Sequence, residues 1–372
     1  MMKIVPVKTK KDLKKFIKLP FQLYKDDPNW VAPLIIDQKH MFNSQKNPYY
    51  QHSEVQPFLA LRNNKVVGRI TAHTNTQHNK FHEDKVGFFG FFEGENDEKT
   101  AKALVDTASQ WLKKRGKNVL RGPMNLSTND ECGLLIEGFD TPPYIMMPYN
   151  KKYYQDLLVK AGLAKSMDLF AYNSPVTPPP ERIKRLAQRV MKRNNFTIRT
   201  LSKDKKNRRK DIETVFRIYS KAWERNWGFV PLTKAEFDHL VDTLLPIVLP
   251  EMVFIAEVEN EPAGFCLTIP DYNYVLQKMK GKILPFGWLK ALYYKNKIPG
   301  LRVITMGVVK EFQNRGIDIV FYYNSYKKAY EMKRFVDSEL SWILETNDMM
   351  NRIGRSLGGK KYKTYRIFDK KI

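Results

Sequence analysis

Cysteine is almost missing from this chain: Cys132 and Cys266 are the only two in 372 residues, and their separation suits neither a disulfide framework nor a zinc site. That excludes a disulfide-stapled scaffold and points to a reducing compartment. Histidine is sparse too. The six are scattered, and His73 and His78 have no cysteine or carboxylate at ligand spacing, so no metal is expected. Long apolar runs are absent as well. Nothing approaches the roughly 20 residues that span a bilayer, and the charged start Met-Met-Lys-Ile-Val-Pro-Val-Lys-Thr-Lys-Lys never builds a secretory core segment. The expectation is a cytoplasmic protein, soluble or peripheral on the inner face of the membrane.

What the chain has in excess is positive charge: 64 Lys and Arg against 39 Asp and Glu, a net +25. Such an excess fits an anionic partner, whether nucleic acid, a phospholipid surface or a phosphate-bearing ligand. Aromatic residues make up 13%, which favours packed structure over disorder. The length leaves room for two ordinary domains.

Periodicity divides the chain into two similar runs. The first reads strand 3–8, helix 12–24, a hairpin over 57–72 turning at Asn63-Asn64, strand 86–92, helix 98–115, strand 119–126, helix 150–161 and strand 167–172. A connector, Asn173-Ser-Pro-Val-Thr-Pro-Pro-Pro180, and a basic helix over 181–194 follow. The order then repeats as strand 196–201, helices 211–225 and 233–249, and a hairpin over 252–269 turning at Glu259-Asn260-Glu261. After an extra segment (270–300) come a strand at 303–309, a helix, strand 336–344, helix 348–357 and strand 362–368. The predicted domains are 1–172 and 196–372, joined by 173–195.

The second run is organised around residues 302–318, a strand, a Gln313-Asn314-Arg315-Gly316 turn and the start of a helix. A glycine there lets backbone N–H groups converge at the positive end of a helix, which suits a pyrophosphate.

These residues resemble the GCN5-related (GNAT) acyl-CoA N-acyltransferase superfamily. Its phosphate signature is Gln or Arg, two residues, Gly, one residue, then Gly or Ala, and here the stretch reads Gln313-Asn-Arg-Gly316-Ile-Asp318. Glu345-Thr-Asn347 and Leu357-Gly358 stand where the family has its Asn and a terminal Leu-Gly. The resemblance covers 196–372 by motif and 3–172 by element order alone. It implies an α/β fold of two tandem GNAT-like domains, each a mixed, mostly antiparallel sheet flanked by helices. It also implies acetyl-CoA or a longer acyl-CoA as co-substrate, held by Met306, Val308, Gln313, Asn314, Arg315, Gly316, Asp318 and Asn347. A backbone N–H near Met306 to Val308, at the family's strand bulge, would polarise the thioester carbonyl. An ammonium cannot attack a thioester, so a base is needed; Glu345 is the first candidate and Glu224, in Trp223-Glu-Arg-Asn-Trp227, the second.

Two positions depart from the family. Asp318 replaces a small residue beside the phosphate, and the position of the family's acid tyrosine aligns with Gly354. Tyr272, Tyr274, Tyr322 and Tyr323 are alternative acids. In the first half the corresponding loop, Phe92-Glu-Gly-Glu-Asn-Asp-Glu98, is acidic, so that half is expected to bind no CoA. The loops Arg121–Asn129 and Pro142–Asn150 are candidates to wall the acceptor side. The insertion over 274–302 interleaves lysines with aliphatic and aromatic residues, a pattern for an anionic membrane surface and hence a lipid-like amine acceptor. The charge also fits two rival readings, a basic nucleic-acid-binding module and an aminoacyl-tRNA-dependent transferase on the same fold.

Overall fold

The computed structural model describes residues 1–223 and 226–372, so Glu224 lies outside the described residues. The chain begins with β1 (Met2–Pro6), α1 (Lys10–Leu23), α2 (Ile35–Met41), β2 (Val55–Arg62), β3 (Lys65–His73) and α3 (Thr76–His82). It continues through β4 (Val86–Gly94), α4 (Glu98–Lys113), β5 (Val119–Gly122), β6 (Leu134–Glu137), α5 (Tyr154–Lys160) and β7 (Ala164–Pro175). After the connector come α6 (Glu181–Arg193), β8 (Phe196–Thr200), α7 (Lys205–Ala222), α8 (Lys234–Leu244), β9 (Val253–Val258) and β10 (Glu261–Pro270). Then come α9 (Asn273–Met279), α10 (Gly287–Tyr294), β11 (Gly300–Val308), α11 (Ile317–Glu331), β12 (Asp337–Leu344), α12 (Asp348–Ser356) and β13 (Lys360–Lys371).

Both hairpins turn where the sequence indicates. Asn63 and Asn64 have φ of 49° and 62°, and Glu259 and Asn260 have 51° and 67°. Consecutive left-handed residues are what a two-residue turn needs to match the twist of its strands.

Two compact units emerge. Residues 1–170, 275–292 and 362–372 form the first, and 171–274 with 293–361 the second. The first unit's strands run β1-β2-β3-β4-β5-β13, with β6 also on β13; the second's run β12-β11-β10-β9-β8, and β7 passes from the first unit into the second after residue 170. In each, one pair is parallel, β4 with β5 and β11 with β12. The first core forms where the α4 stripe Ala101, Leu104, Val105, Ala108 and Leu112 covers β3 and β4.

This division departs from the linear split at 172 and 196. The terminal strand belongs to the first unit because its side chains are satisfied there. Phe368 joins the α4 core, Arg366 forks onto Asp168 at 2.7 and 2.9 Å, and Asp369 receives Arg121 at 2.8 and 2.7 Å. Segment 275–292 joins the same unit: Gly281 packs on Phe21 and its carbonyl accepts from Ile35 N–H at 3.1 Å, while Gln277 donates to Pro28 O at 2.9 Å. The strand expected over 119–126 is also shorter, since β5 stops at Gly122. Among the described residues no helix is long and apolar enough to cross a membrane.

Candidate functional site

The second unit contains an opened sheet. Parallel pairing of β11 with β12 runs only from Gly300↔Asp337 to Val303↔Leu340, although both strands continue. Against β10, the register jumps between Leu267↔Thr305 and Thr268↔Val303, which leaves Ile304 as the extra residue of a bulge. The bulge therefore falls before the Met306 to Val308 stretch expected from the sequence. It also resets the alternation. Val303, Met306 and Val308 pack with Ile317 and Phe321 of α11, while a Cβ on Gly307 would lie 2.4 Å from Trp223.

Above the gap the chain turns through Lys310–Phe312 into the expected corner. Gln313 Nε2 donates to Val308 O at 3.1 Å, tying the loop to the strand. Asn314 and Gly316 take φ of 63° and 79°, so the turn is left-handed at both. Gly316 is the N-cap of α11 and provides no side-chain cap. No N-cap side chain therefore covers the positive end of α11, although the Asp318 carboxyl in its first turn takes hydrogen bonds from the Asp318 and Ile319 N–H groups. Glycine is needed twice over, for its φ and because a Cβ would sit 2.9 Å from Val190 of α6. That contact locates α6 beside the loop, as does Asn194 Nδ2 donating to Arg315 O at 3.3 Å. Arg189, Lys192 and Arg193 of the same helix end are exposed. Charge that looks like ordinary solvated surface in sequence therefore borders the corner.

Asp318 is half-buried in the first turn of α11, and burial pushes its carboxyl above the usual range despite the N–H groups of Ile319 and Asp318. Asn347 caps α12, accepting from Met350 N–H at 3.1 Å, so its side chain is engaged in the fold. Glu345 lies half-buried past the end of β12, and its backbone carbonyl accepts from Asn351 Nδ2 at 3.4 Å. At Gly354 the missing side chain makes room for Tyr172: a Cβ there would be 3.4 Å from the ring, whose hydroxyl donates to Asn351 Oδ1 at 3.0 Å.

One buried group has no role assigned from the sequence. Glu339 is 0% exposed, and its carboxylate accepts from Ser341 Oγ and faces Arg302 Nε at 3.8 Å. Arg302 in turn donates from Nε to Ser341 Oγ at 2.9 Å. Charges this deep persist only when paired and hydrogen-bonded. Glu339 and Ser341 alternate on one face of β12, and Arg302 is the register partner of Glu339 on β11, a juxtaposition that strand pairing supplies.

On the α11 face of the sheet lies a narrow cavity, open at its mouth. Met306, Cys266 and Tyr322 line one end, and Leu301, Ala329 and Met252 the other. Burial pushes the Cys266 thiol up to about 11, so this wall is uncharged at neutral pH.

No protein-family model matches the chain. It is 37% identical over 379 residues to the bacterial ceramide synthase of Caulobacter vibrioides, covering 99% of this chain and 97% of that protein. It is 36% identical to protein YghO of Escherichia coli, covering 98% and 94%. Among solved structures, it resembles a tandem GNAT protein from the clavulanic acid biosynthesis pathway, with TM-score 0.58, 10% identity and coverage of 100% and 98%. A GCN5-related N-acetyltransferase from Sphaerobacter thermophilus gives TM-score 0.54 at 12% identity, covering 100% and 95%.

Proposed function

Because the chain belongs to the family of the bacterial ceramide synthase to which it is 37% identical, and has the fold of a tandem GNAT protein, we propose that it moves an acyl group from acyl-CoA to the primary amine of a lipid-like acceptor at a membrane surface. The observation that carries the donor half of this reading is the uncapped Gly316 corner standing above the opened β11/β12 gap. Gln313, Asn314, Arg315 and Gly316 would hold the pyrophosphate, with the pantetheine arm between the strands beside Met306 and Val308. The bulged strand offers backbone N–H groups to the thioester oxygen as negative charge develops there. The amine nitrogen bonds the carbonyl carbon, and the carbon–sulfur bond breaks with its electron pair on sulfur. One proton leaves nitrogen, for which Glu345 is the base we assign, and one reaches the thiolate, for which Tyr322 is the donor. Its pKa is raised by burial and by Asp318, so it carries its proton at neutral pH.

The acceptor half draws on the relative named a ceramide synthase and on a feature of the first unit. Over 283–292 the large apolar side chains stand in water: Leu284 is 73% exposed, Phe286 67%, Leu292 53%, and Trp288 and Leu289 46% each. Their base is fixed, with Val275 and Met279 buried and Gly287 so close to Lys282 O that a Cβ would meet it at 1.9 Å. A held pedestal with an apolar tip and the exposed Lys282 and Lys290 suits an anionic bilayer, which takes the tip into its interface and the ammonium groups at its headgroups.

Thermal unfolding with and without CoA tests the donor. A ligand at 100 times its Kd adds about 2.7 kcal/mol of stability, and Gly316→Glu removes that gain; a native protein indifferent to CoA sinks the reading. Sedimentation with phosphatidylglycerol vesicles tests the surface. The triple variant Leu284→Ser, Phe286→Ser, Trp288→Ser should stay in the supernatant while the native protein pellets.

A further inference from the structure

Beyond Tyr322 the cavity under α11 has no part in the transfer step, yet it begins where the transfer would occur. Val303 and Leu340, the last paired residues before the strands separate, both line it, as does Met306 beyond them. From that end it runs beneath α11 past Tyr322 to Ala329, with Leu301 and Met252 closing the far end. We propose that this cavity is the binding site for the hydrocarbon chain of the acyl donor, and that Ala329 and Met252 set the length it accepts. The inference rests on the acyl-CoA reading above and assigns the second unit a donor-length filter.

Three observations support it. The walls are apolar apart from small neutral groups. Cys266 Sγ lies 3.7 Å from Ser325 Oγ, and the thiol holds its proton, so no charge opposes a hydrocarbon. Its position is also right, since a chain attached at the thioester can enter only through a gap between β11 and β12, and the sheet is open there and paired below. Finally, the lining extends far enough along α11 for more than an acetyl group. Tyr322 to Ala329 spans about 10 Å along the helix axis. An extended hydrocarbon advances about 1.3 Å per carbon, from carbon–carbon bonds of about 1.5 Å, so about eight carbons reach the floor. A two-carbon donor would leave most of the slot unfilled, forfeiting contacts that longer chains make.

The test is acyl transfer by the full chain to a long-chain primary amine, with a series of acyl-CoAs from acetyl to palmitoyl. Each methylene buried is worth about a fourfold gain in kcat/KM, so the octanoyl to acetyl ratio of the native protein should exceed one hundred. Ala329→Phe should lower that ratio at least tenfold by filling the floor, and Met252→Ala should move the preferred length upward by two or more carbons. The two substitutions act in opposite directions, so general damage to the fold cannot imitate the pair, and circular dichroism checks each variant. A native protein that transfers all chain lengths equally, or variants that change every length by the same factor, overturns the length filter and leaves the donor assignment standing. A native protein that neither transfers from any acyl-CoA nor is stabilised by CoA overturns both.

Discussion

The same strand, loop and helix occur in both units, and the chain has used them up in one and left them open in the other. In the first unit Asp97 is the N-cap of α4. Its carboxylate accepts from Thr100 N–H at 3.1 Å and is paired with Arg62. Pairing of β4 with β5 also stops early, at Phe88↔Arg121, but the chain beyond β5 folds into the opening. Met124 N–H donates to Phe89 O at 2.7 Å, and Phe91 N–H donates to Asn125 Oδ1 at 2.9 Å. In the second unit the corner has a glycine cap and the opening has a cavity. Topology alone therefore does not make an anion site. A carboxylate at the N-cap supplies the negative charge that a ligand would bring, and a plug supplies the strand that a pantetheine arm would imitate.

The largest effect should come from making the second corner like the first. Gly316→Asp puts a carboxylate and a Cβ where φ is 79° and Val190 is 2.9 Å away. Loss of kcat/KM by more than about one hundredfold and loss of CoA-dependent stabilisation are expected, since both phosphate recognition and loop geometry go. Retained CoA binding would mean that the two corners differ for another reason.

A smaller effect is expected from α6, which has no counterpart in the first unit. If its exposed end meets the 3′-phosphate of CoA, the Arg189→Ala, Arg193→Ala double variant should raise KM for acyl-CoA about tenfold, the worth of one or two charge-assisted contacts. KM for the matching acyl-dephospho-CoA should hardly change. Equal losses for both donors would show that the helix only supports the loop.

Smaller still is the converse experiment. Asp97→Ala removes the cap of α4 and should cost about 1 kcal/mol of stability by denaturant titration, without creating a second CoA site, because the plug at 122–126 stays in place. Binding of two CoA molecules per chain, measured by calorimetry, would show that the cap alone had closed the first unit.

Much of this contrast is legible in the sequence, because local rules carry it. Gln313 to Gly316 is a turn with Asn314 and Gly316 where the backbone is left-handed, the acidic stretch before α4 marks an occupied N-terminus, and Asn63-Asn64 fixes a hairpin. The units themselves are less legible. The allegiance of 362–372 depends on partners such as Asp168 and Arg121, which lie some two hundred residues away and leave no periodicity. The same is true of α6, whose basic residues describe a solvated face until Val190 is found against Gly316. Alternation puts Glu339 and Ser341 on one face of β12 but does not show that this face is buried against Arg302.

The smallest effect concerns Asp318, where two forces oppose each other. A carboxylate in the first turn gains from the helix dipole, by less than about 1 kcal/mol, whereas burial raises its pKa, and the net direction is upward. A carboxyl whose folded pKa is above its unfolded value binds its proton more tightly in the folded state. Its contribution to stability is therefore greatest below the unfolded pKa and is lost as pH rises toward and through the folded value. At neutral pH the charged carboxylate is then a cost that an amide would not carry. Asp318→Asn should accordingly be slightly more stable than the native protein at pH 7, and the difference should shrink as the pH is lowered through the ordinary carboxylate range. Urea titrations at both ends of that range measure it. A variant less stable at pH 7 would mean that the dipole outweighs burial, and that Asp318 performs for α11 part of the service Asp97 performs for α4.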